Sequence, residues 1–174
     1  AFVKTIPELN VIGLRVCFSM GMLTLEQAIL LRDAGLYEYN NNLDTAASFY
    51  INVIKTRTYE ERLESIENII NANLRLSCGG ILGLGESVAQ RIEFIHTLSK
   101  LKKQPDTVPL NALYPSEGTP LADCKTVDPF EYIRTVALAR IAMPRSEIAL
   151  AAGRNFMSSE MQALCFYVGT GTFY

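Results

Sequence analysis

The chain has 174 residues, 49% of them hydrophobic and 20% charged, with a net charge of −2. That is one domain's worth of chain with enough apolar residues for a sizeable core. Its scattered basic residues argue against a nucleic-acid face or a polybasic membrane patch. No apolar run reaches the length of a membrane span, and no signal-peptide pattern opens the chain. The four cysteines, Cys17, Cys78, Cys124 and Cys165, show no Cys-x-x-Cys spacing, so a reducing compartment fits better than a disulfide framework. An opening Ala1 and an apolar end at Phe173-Tyr174 read as a piece of a longer protein.

Taken in chain order, the pattern is strand then helix, repeated. Val11 to Cys17 reads as a strand. Thr24 opens a helix, with Gln27 completing a capping box. Leu36 to Tyr39 is the second strand. Thr58 and Glu61 form another capping box, and the helix behind it carries Tyr59, Leu63, Ile66 and Ile70 on one face. Leu74 to Cys78 is the third strand, with Val88, Ile92 and Ile95 on its helix. Thr107 to Leu113 is the fourth. Asp128-Pro129-Phe130-Glu131 opens a helix with proline at its first position, lined by Ile133, Ala137 and Ile141. Glu147 to Leu150 is the fifth strand, a helix follows from Ser158 to Tyr167, and Thr172 to Tyr174 begins a sixth. Alternating β and α units imply a parallel sheet. The expected fold is α/β: a partial (β/α)8 TIM-type barrel of about six βα units, since a complete one needs about 250 residues. A doubly wound open sheet is the alternative.

Ser77 to Glu86 stands out, a strand end, a glycine-rich bend and a helix start in one run. Its glycines, Gly79, Gly80, Gly83 and Gly85, would let backbone approach a ligand and offer free N–H groups at the helix start; the plainer reading is an ordinary βα turn. Polar residues gather at the carboxyl ends of the expected strands: Cys17, Asn40 to Asp44, Ser77, Cys78 and Asn111. Parallel α/β folds put their sites there. Asp44 could accept from a pair of ribose hydroxyls or serve as N-cap for a helix near Ala46. Asn40, Asn41 and Asn42 could read an amide or urea group, or make turns. Asn111 sits in an apolar strand, where an unpartnered amide is costly, which favours a ligand contact. His96, the single histidine, falls on a helix surface, so Ser/His/Asp chemistry and a histidine-rich metal site are not expected.

Several segments together resemble the biotin synthase family of radical S-adenosylmethionine enzymes. They are Tyr39 to Thr45 (YNNNLDT), Thr56 to Leu63 (TRTYEERL), Gly79 to Glu86 (GGILGLGE), Pro109 to Leu113 (PLNAL), Gly118 to Asp123 (GTPLAD), Ile133 to Thr135 and Ala152 to Arg154. They occur in the family's order and cover nearly the whole chain. The resemblance implies an incomplete radical-SAM barrel domain over residues 1–174. It implies conversion of dethiobiotin to biotin by radical sulfur insertion. In this family a 4Fe–4S cluster cleaves S-adenosylmethionine to a 5′-deoxyadenosyl radical, and an auxiliary iron–sulfur cluster, 2Fe–2S or a variant, supplies sulfur. By the same resemblance Asp44 would bind the ribose of S-adenosylmethionine and Arg62 its carboxylate. Gly79, Gly80, Ile81 and Gly83 would lie near adenine, Asn42 and Asn111 would bind the ureido ring of dethiobiotin, and Cys17 would ligate the auxiliary cluster. The implied partners are dethiobiotin, a flavodoxin- or ferredoxin-type electron donor and a second copy in a homodimer. The implied compartment is a bacterial cytoplasm or a mitochondrial matrix.

Three departures accompany the resemblance. The Cys-x-x-x-Cys-x-x-Cys motif that holds the 4Fe–4S cluster is not in these residues, so this stretch by itself is expected to be inactive. Ser77 stands where the family has a cluster cysteine, with Cys78 one residue later, on the other face of a regular strand. Either a bend turns Cys78 inward or the auxiliary cluster is ligated differently. Ala149 stands where an arginine commonly ligates that cluster. A related radical enzyme without sulfur insertion and a non-catalytic barrel fragment are the competing readings.

Overall fold

The computed structural model describes residues 2–174. Its elements are α1 (Phe2–Val11), β1 (Cys17–Phe18), α2 (Leu25–Asp33), β2 (Glu38–Asn40), α3 (Ala47–Val53), α4 (Tyr59–Asn71), β3 (Leu76–Ser77), β4 (Gly80–Leu82), α5 (Val88–Lys100), β5 (Thr107–Ala112), α6 (Pro129–Ala142), β6 (Glu147–Leu150), α7 (Ser159–Val168) and β7 (Thr172–Phe173). Every strand pair is parallel, in the order β1-β2-β3-β5-β6-β7, with β4 also on β5. β3 and β4 share one neighbour, so they are two pieces of a single strand position broken at Cys78-Gly79. Each new position is added on the same side as the last. A doubly wound sheet would reverse its order at a switch point; this one does not, which makes it an arc of an α/β barrel.

The capping boxes expected at Thr24 and Thr58 are present, and Ser87 with Gln90 adds a third. Asp128 caps α6 through the N–H groups of Phe130 and Glu131, with Pro129 in its first turn. Helix α1 was not expected, and the strand predicted over Val11 to Cys17 shrinks to Cys17–Phe18. Val3, Ile6 and Leu9 turn one helical face to the core, with Ile6 fully buried. A turn at Gly13 (φ 84°) then brings the chain to the sheet.

Two helix faces also differ from expectation. Val88, Ile92 and Ile141 are exposed; Ile95 and Ile133 are buried as expected, but with Phe94 and Leu98 of α5 and Tyr132, Val136 and Ala139 of α6 rather than the rest of the expected stripes. Both helices carry two apolar stripes, and the sheet chooses between them. Tyr132 anchors the choice in α6, its hydroxyl donating to the Leu110 carbonyl at 2.7 Å. The core between helices and sheet holds Tyr39, Ile66, Ile69, Leu76, Leu110 and Met143, all essentially inaccessible.

Parallel partners in register point to the same face. The pairs Cys17–Glu38, Asn40–Ser77, Ser77–Thr107, Pro109–Ala149 and Ile81–Asn111 therefore put these side chains on the concave, lumen side. Leu76, Val108, Leu110 and Ile148 face the helices.

Candidate functional site

The carboxyl ends of β2 and β3 open into a cleft of about 180 Å³ lined by Ser19, Gly21, Asn40, Asn41, Asn42, Asp44 and Arg62. Two elements build it. Helix α4 presents Arg62 one turn beyond its Thr58 cap. The loop after β2 presents Asp44, a non-glycine residue at φ 66°. That left-handed conformation is held by backbone bonds, Asp44 N–H to Gly79 O at 3.2 Å and Ile81 N–H to Asp44 O at 2.8 Å. Asp44 does not cap α3, whose N-cap is Ala46 with no side-chain cap bond. Instead the Asp44 carboxylate accepts from Arg62 Nη2 at 3.2 Å, both side chains mostly shielded. Burial pushes the Asp44 carboxyl above its usual range, and Arg62 pulls it back in part.

The glycines serve the protein's own packing. A Cβ on Gly79 would lie 1.8 Å from the Pro109 carbonyl oxygen, and one on Gly80 would lie 2.5 Å from Asp44 O. Their small size is what lets the Asp44 loop and β5 close on this strand. Part of the bend and of the start of α5 is satisfied from within the chain. Gly83 N–H donates to Glu86 Oε1 at 2.9 Å, Arg91 Nε meets the same oxygen at 2.6 Å, and the Ser87–Gln90 box caps the helix.

Asn42 Oδ1 accepts from Gly79 N–H at 3.0 Å. Asn111 is partnered at both ends of its amide, Nδ2 to Gly80 O and Oδ1 to Ala152 N–H, each at 3.0 Å. Its polarity is thus explained by bridging backbone, and the cost argument no longer requires a ligand. Beside it in register, half-buried Ile81 looks into the lumen. A larger cleft of about 690 Å³ lies between Asn52 to Thr56 and the loop after β5, from Leu113 to Leu121.

Below the cleft, the lumen is polar. Thr107 Oγ1 donates to Glu38 Oε2 at 2.8 Å, and Arg75 approaches Glu38 at 3.5 Å. Ser77 faces it, with its buried Oγ unpartnered among the described residues. Cys17 is exposed on the same face. Partial desolvation, then Glu38, push its thiol up. Cys78 faces away: it is fully buried in the core beside Tyr59 and the Leu43 backbone, and burial pushes its thiol up to about 12. The break at Cys78-Gly79 does not turn this thiol inward. Ala149 lies on the lumen side without a polar atom to offer. Among the described residues no group of three or more His, Cys, Asp or Glu side chains is placed to hold a metal. Exposed His96 lies on α5, away from the site.

Sequence reasoning missed Tyr50 and Ser65, which touch the site network. Ser65 had a signal: it is a polar residue in the buried stripe of α4, beside Ile66 and Ile69.

The BATS family, the Biotin and Thiamin Synthesis associated domain, matches residues 109–173. Biotin synthase of Rhodopseudomonas palustris (strain BisB5) is 49% identical over 173 residues, 99% of this chain and 51% of that protein. By sequence the chain is similar to biotin synthases along almost all of its length. The biotin synthases of Polaromonas naphthalenivorans (strain CJ2) and Coxiella burnetii (strain Dugway 5J108-111) are 48% and 46% identical over 98% of the chain, or 50% and 53% of their own length. The chain thus spans about half the length of the biotin synthases it matches. Among solved structures, methylornithine synthase (PylB) superposes with a TM-score of 0.84 at 17% identity, over 99% of this chain and 50% of that one. A phosphonomutase from Burkholderia cenocepacia reaches 0.60 at 15%, over 98% and 73%. At these identities the likeness shows the barrel fold alone. No described helix is long and apolar enough to cross a membrane.

Proposed function

We propose that residues 1–174 form the part of a radical-SAM barrel that binds S-adenosylmethionine and dethiobiotin in a biotin synthase. The observation that carries the reading is the meeting of Asp44 and Arg62, 18 residues apart in sequence, with Asn42 in one cleft at the strand ends. A carboxylate suits a ribose diol, and a guanidinium suits the carboxylate of an amino acid. Asn42 and Asn111 offer amides to a ureido ring, and Ile81 an apolar surface to adenine. Bound S-adenosylmethionine and a reduced 4Fe–4S cluster would supply the hydrogen-abstracting chemistry; this chain's part is to hold and aim the two small molecules.

An auxiliary cluster of the family's pattern does not fit the residues present. Cys17 is the one lumen-facing thiol among the three positions, Ser77 and Ala149 replace the others, and Cys78 is sealed on the opposite face. This favours a second reading, a related radical enzyme without sulfur insertion. Anaerobic turnover of the full-length protein with S-adenosylmethionine, dethiobiotin and a reduced flavodoxin-type donor separates them. Biotin as product supports the first reading. Formation of 5′-deoxyadenosine without biotin supports the second, and neither product refutes both.

A further inference from the structure

Arg62 is held on three sides, and one of its holders is itself fixed from behind. Nε–H donates to the Tyr50 hydroxyl at 3.4 Å, Nη1–H to Asn41 Oδ1 at 3.3 Å, and Nη2–H to Asp44 Oδ2 at 3.2 Å. A guanidinium has five N–H donors, so among the described residues one on each Nη is left for a ligand. Asn41 is 3% exposed, and its Nδ2 donates to Ser65 Oγ at 2.7 Å. Ser65 is 2% exposed, and the same Oγ accepts from Leu23 N–H at 2.8 Å. Two donors fill the two lone pairs of one hydroxyl. Ser65 takes the NH2 end of the amide, and the oxygen end turns to Arg62. A flipped amide would set its NH2 against a cation.

We propose that Asn41, locked by Ser65, is a positioning residue that aims the Arg62 guanidinium at the carboxylate of S-adenosylmethionine. The inference rests on the cleft assignment made under the proposed function. Neither Asn41 nor Ser65 needs to touch the ligand. Their role is to fix the fork, whose planar geometry makes a paired contact with a carboxylate only in one orientation.

The test is equilibrium binding to the full-length protein under anaerobic conditions. The two probes are S-adenosylmethionine and 5′-methylthioadenosine, the same nucleoside without the amino-acid part. Asn41→Leu is expected to weaken S-adenosylmethionine about tenfold, the scale of a hydrogen bond to a charged group, and to leave methylthioadenosine within about twofold. Ser65→Ala, which keeps the volume nearly intact, is expected to show a smaller loss with the same selectivity. In an Arg62→Met background, Asn41→Leu is expected to add nothing, because the two act as one unit. Equal loss of both probes, full additivity with Arg62→Met, or no loss in either variant overturns the proposal. If Arg62→Met by itself leaves S-adenosylmethionine binding unchanged, the assignment of Arg62 fails first, a result distinct from additivity.

Discussion

Cys78 and Cys17 show how far a single-residue shift reaches. Cys17 is exposed on the lumen face, whereas Cys78 is buried with its thiol pushed up to about 12. Alkylation with iodoacetamide at pH 8 is expected to modify Cys17 in the native protein and spare Cys78 until denaturant is added; native modification of Cys78 would contradict its placement. Because burial raises the Cys78 pKa above its ordinary 9.0, the protonated thiol contributes stability that is complete below that pH and is lost as pH rises through about 12. For Asp44 the raised pKa bears on binding. A ribose diol needs the ionised form, so affinity for S-adenosylmethionine should fall on acidification at a pH above the usual carboxylate range. Asp44→Asn should flatten that dependence, and an unchanged profile in the variant would sink the assignment. The polar run from Asn40 to Asp44 could be placed at a strand end from sequence alone; Arg62, on a helix, was named only through the family resemblance, and its meeting with Asp44 is a matter of packing. Ser65 was not legible, since its partner Asn41 lies 24 residues away and only the packing of α4 on the β2 loop joins them.

At the level of elements, local signals held where they were chemical. Thr24, Thr58 and Asp128 cap their helices as expected. Thr58→Ala should cost about 1 kcal/mol and lower Tm by about 2–4 °C in a thermal melt; no shift would mean that α4 is held by packing alone. The β3–β4 break needs glycine for space. Gly79→Ala forces a Cβ against the Pro109 carbonyl, whereas a Cβ on Gly118 meets nothing within 4 Å. Gly79→Ala is therefore expected to cost about 3 kcal/mol or more, and Gly118→Ala about 1 kcal/mol from its φ of 78°. Denaturant melts giving equal losses would contradict the close approach. The buried faces of α5 and α6 escaped the sequence reading because apolar residues recur on more than one stripe, and which stripe is covered depends on the sheet; α1 escaped for another reason, the Pro7 inside it, which reads as a helix breaker.

Across the whole molecule, the order of the sheet follows from the alternation of strands and helices, and the fold class was legible from that alone. The choice between a barrel arc and a doubly wound sheet was not closed by it, because that depends on which strand neighbours which. β1 and β7 each have one neighbour in the sheet, and an unpaired edge invites association. The 174-residue chain on its own is expected to associate with rising concentration in sedimentation velocity; a monomer at every concentration would show the edges to be protected. The central claim is that the Asp44–Arg62 cleft takes S-adenosylmethionine. Its most direct test is equilibrium binding of S-adenosylmethionine to the full-length protein and to Asp44→Asn and Arg62→Met, with folding checked by circular dichroism. The account predicts folded variants that each bind at least about tenfold more weakly, the cost of losing a hydrogen bond to a charged partner. Folded variants that bind as tightly as the unaltered protein would contradict it.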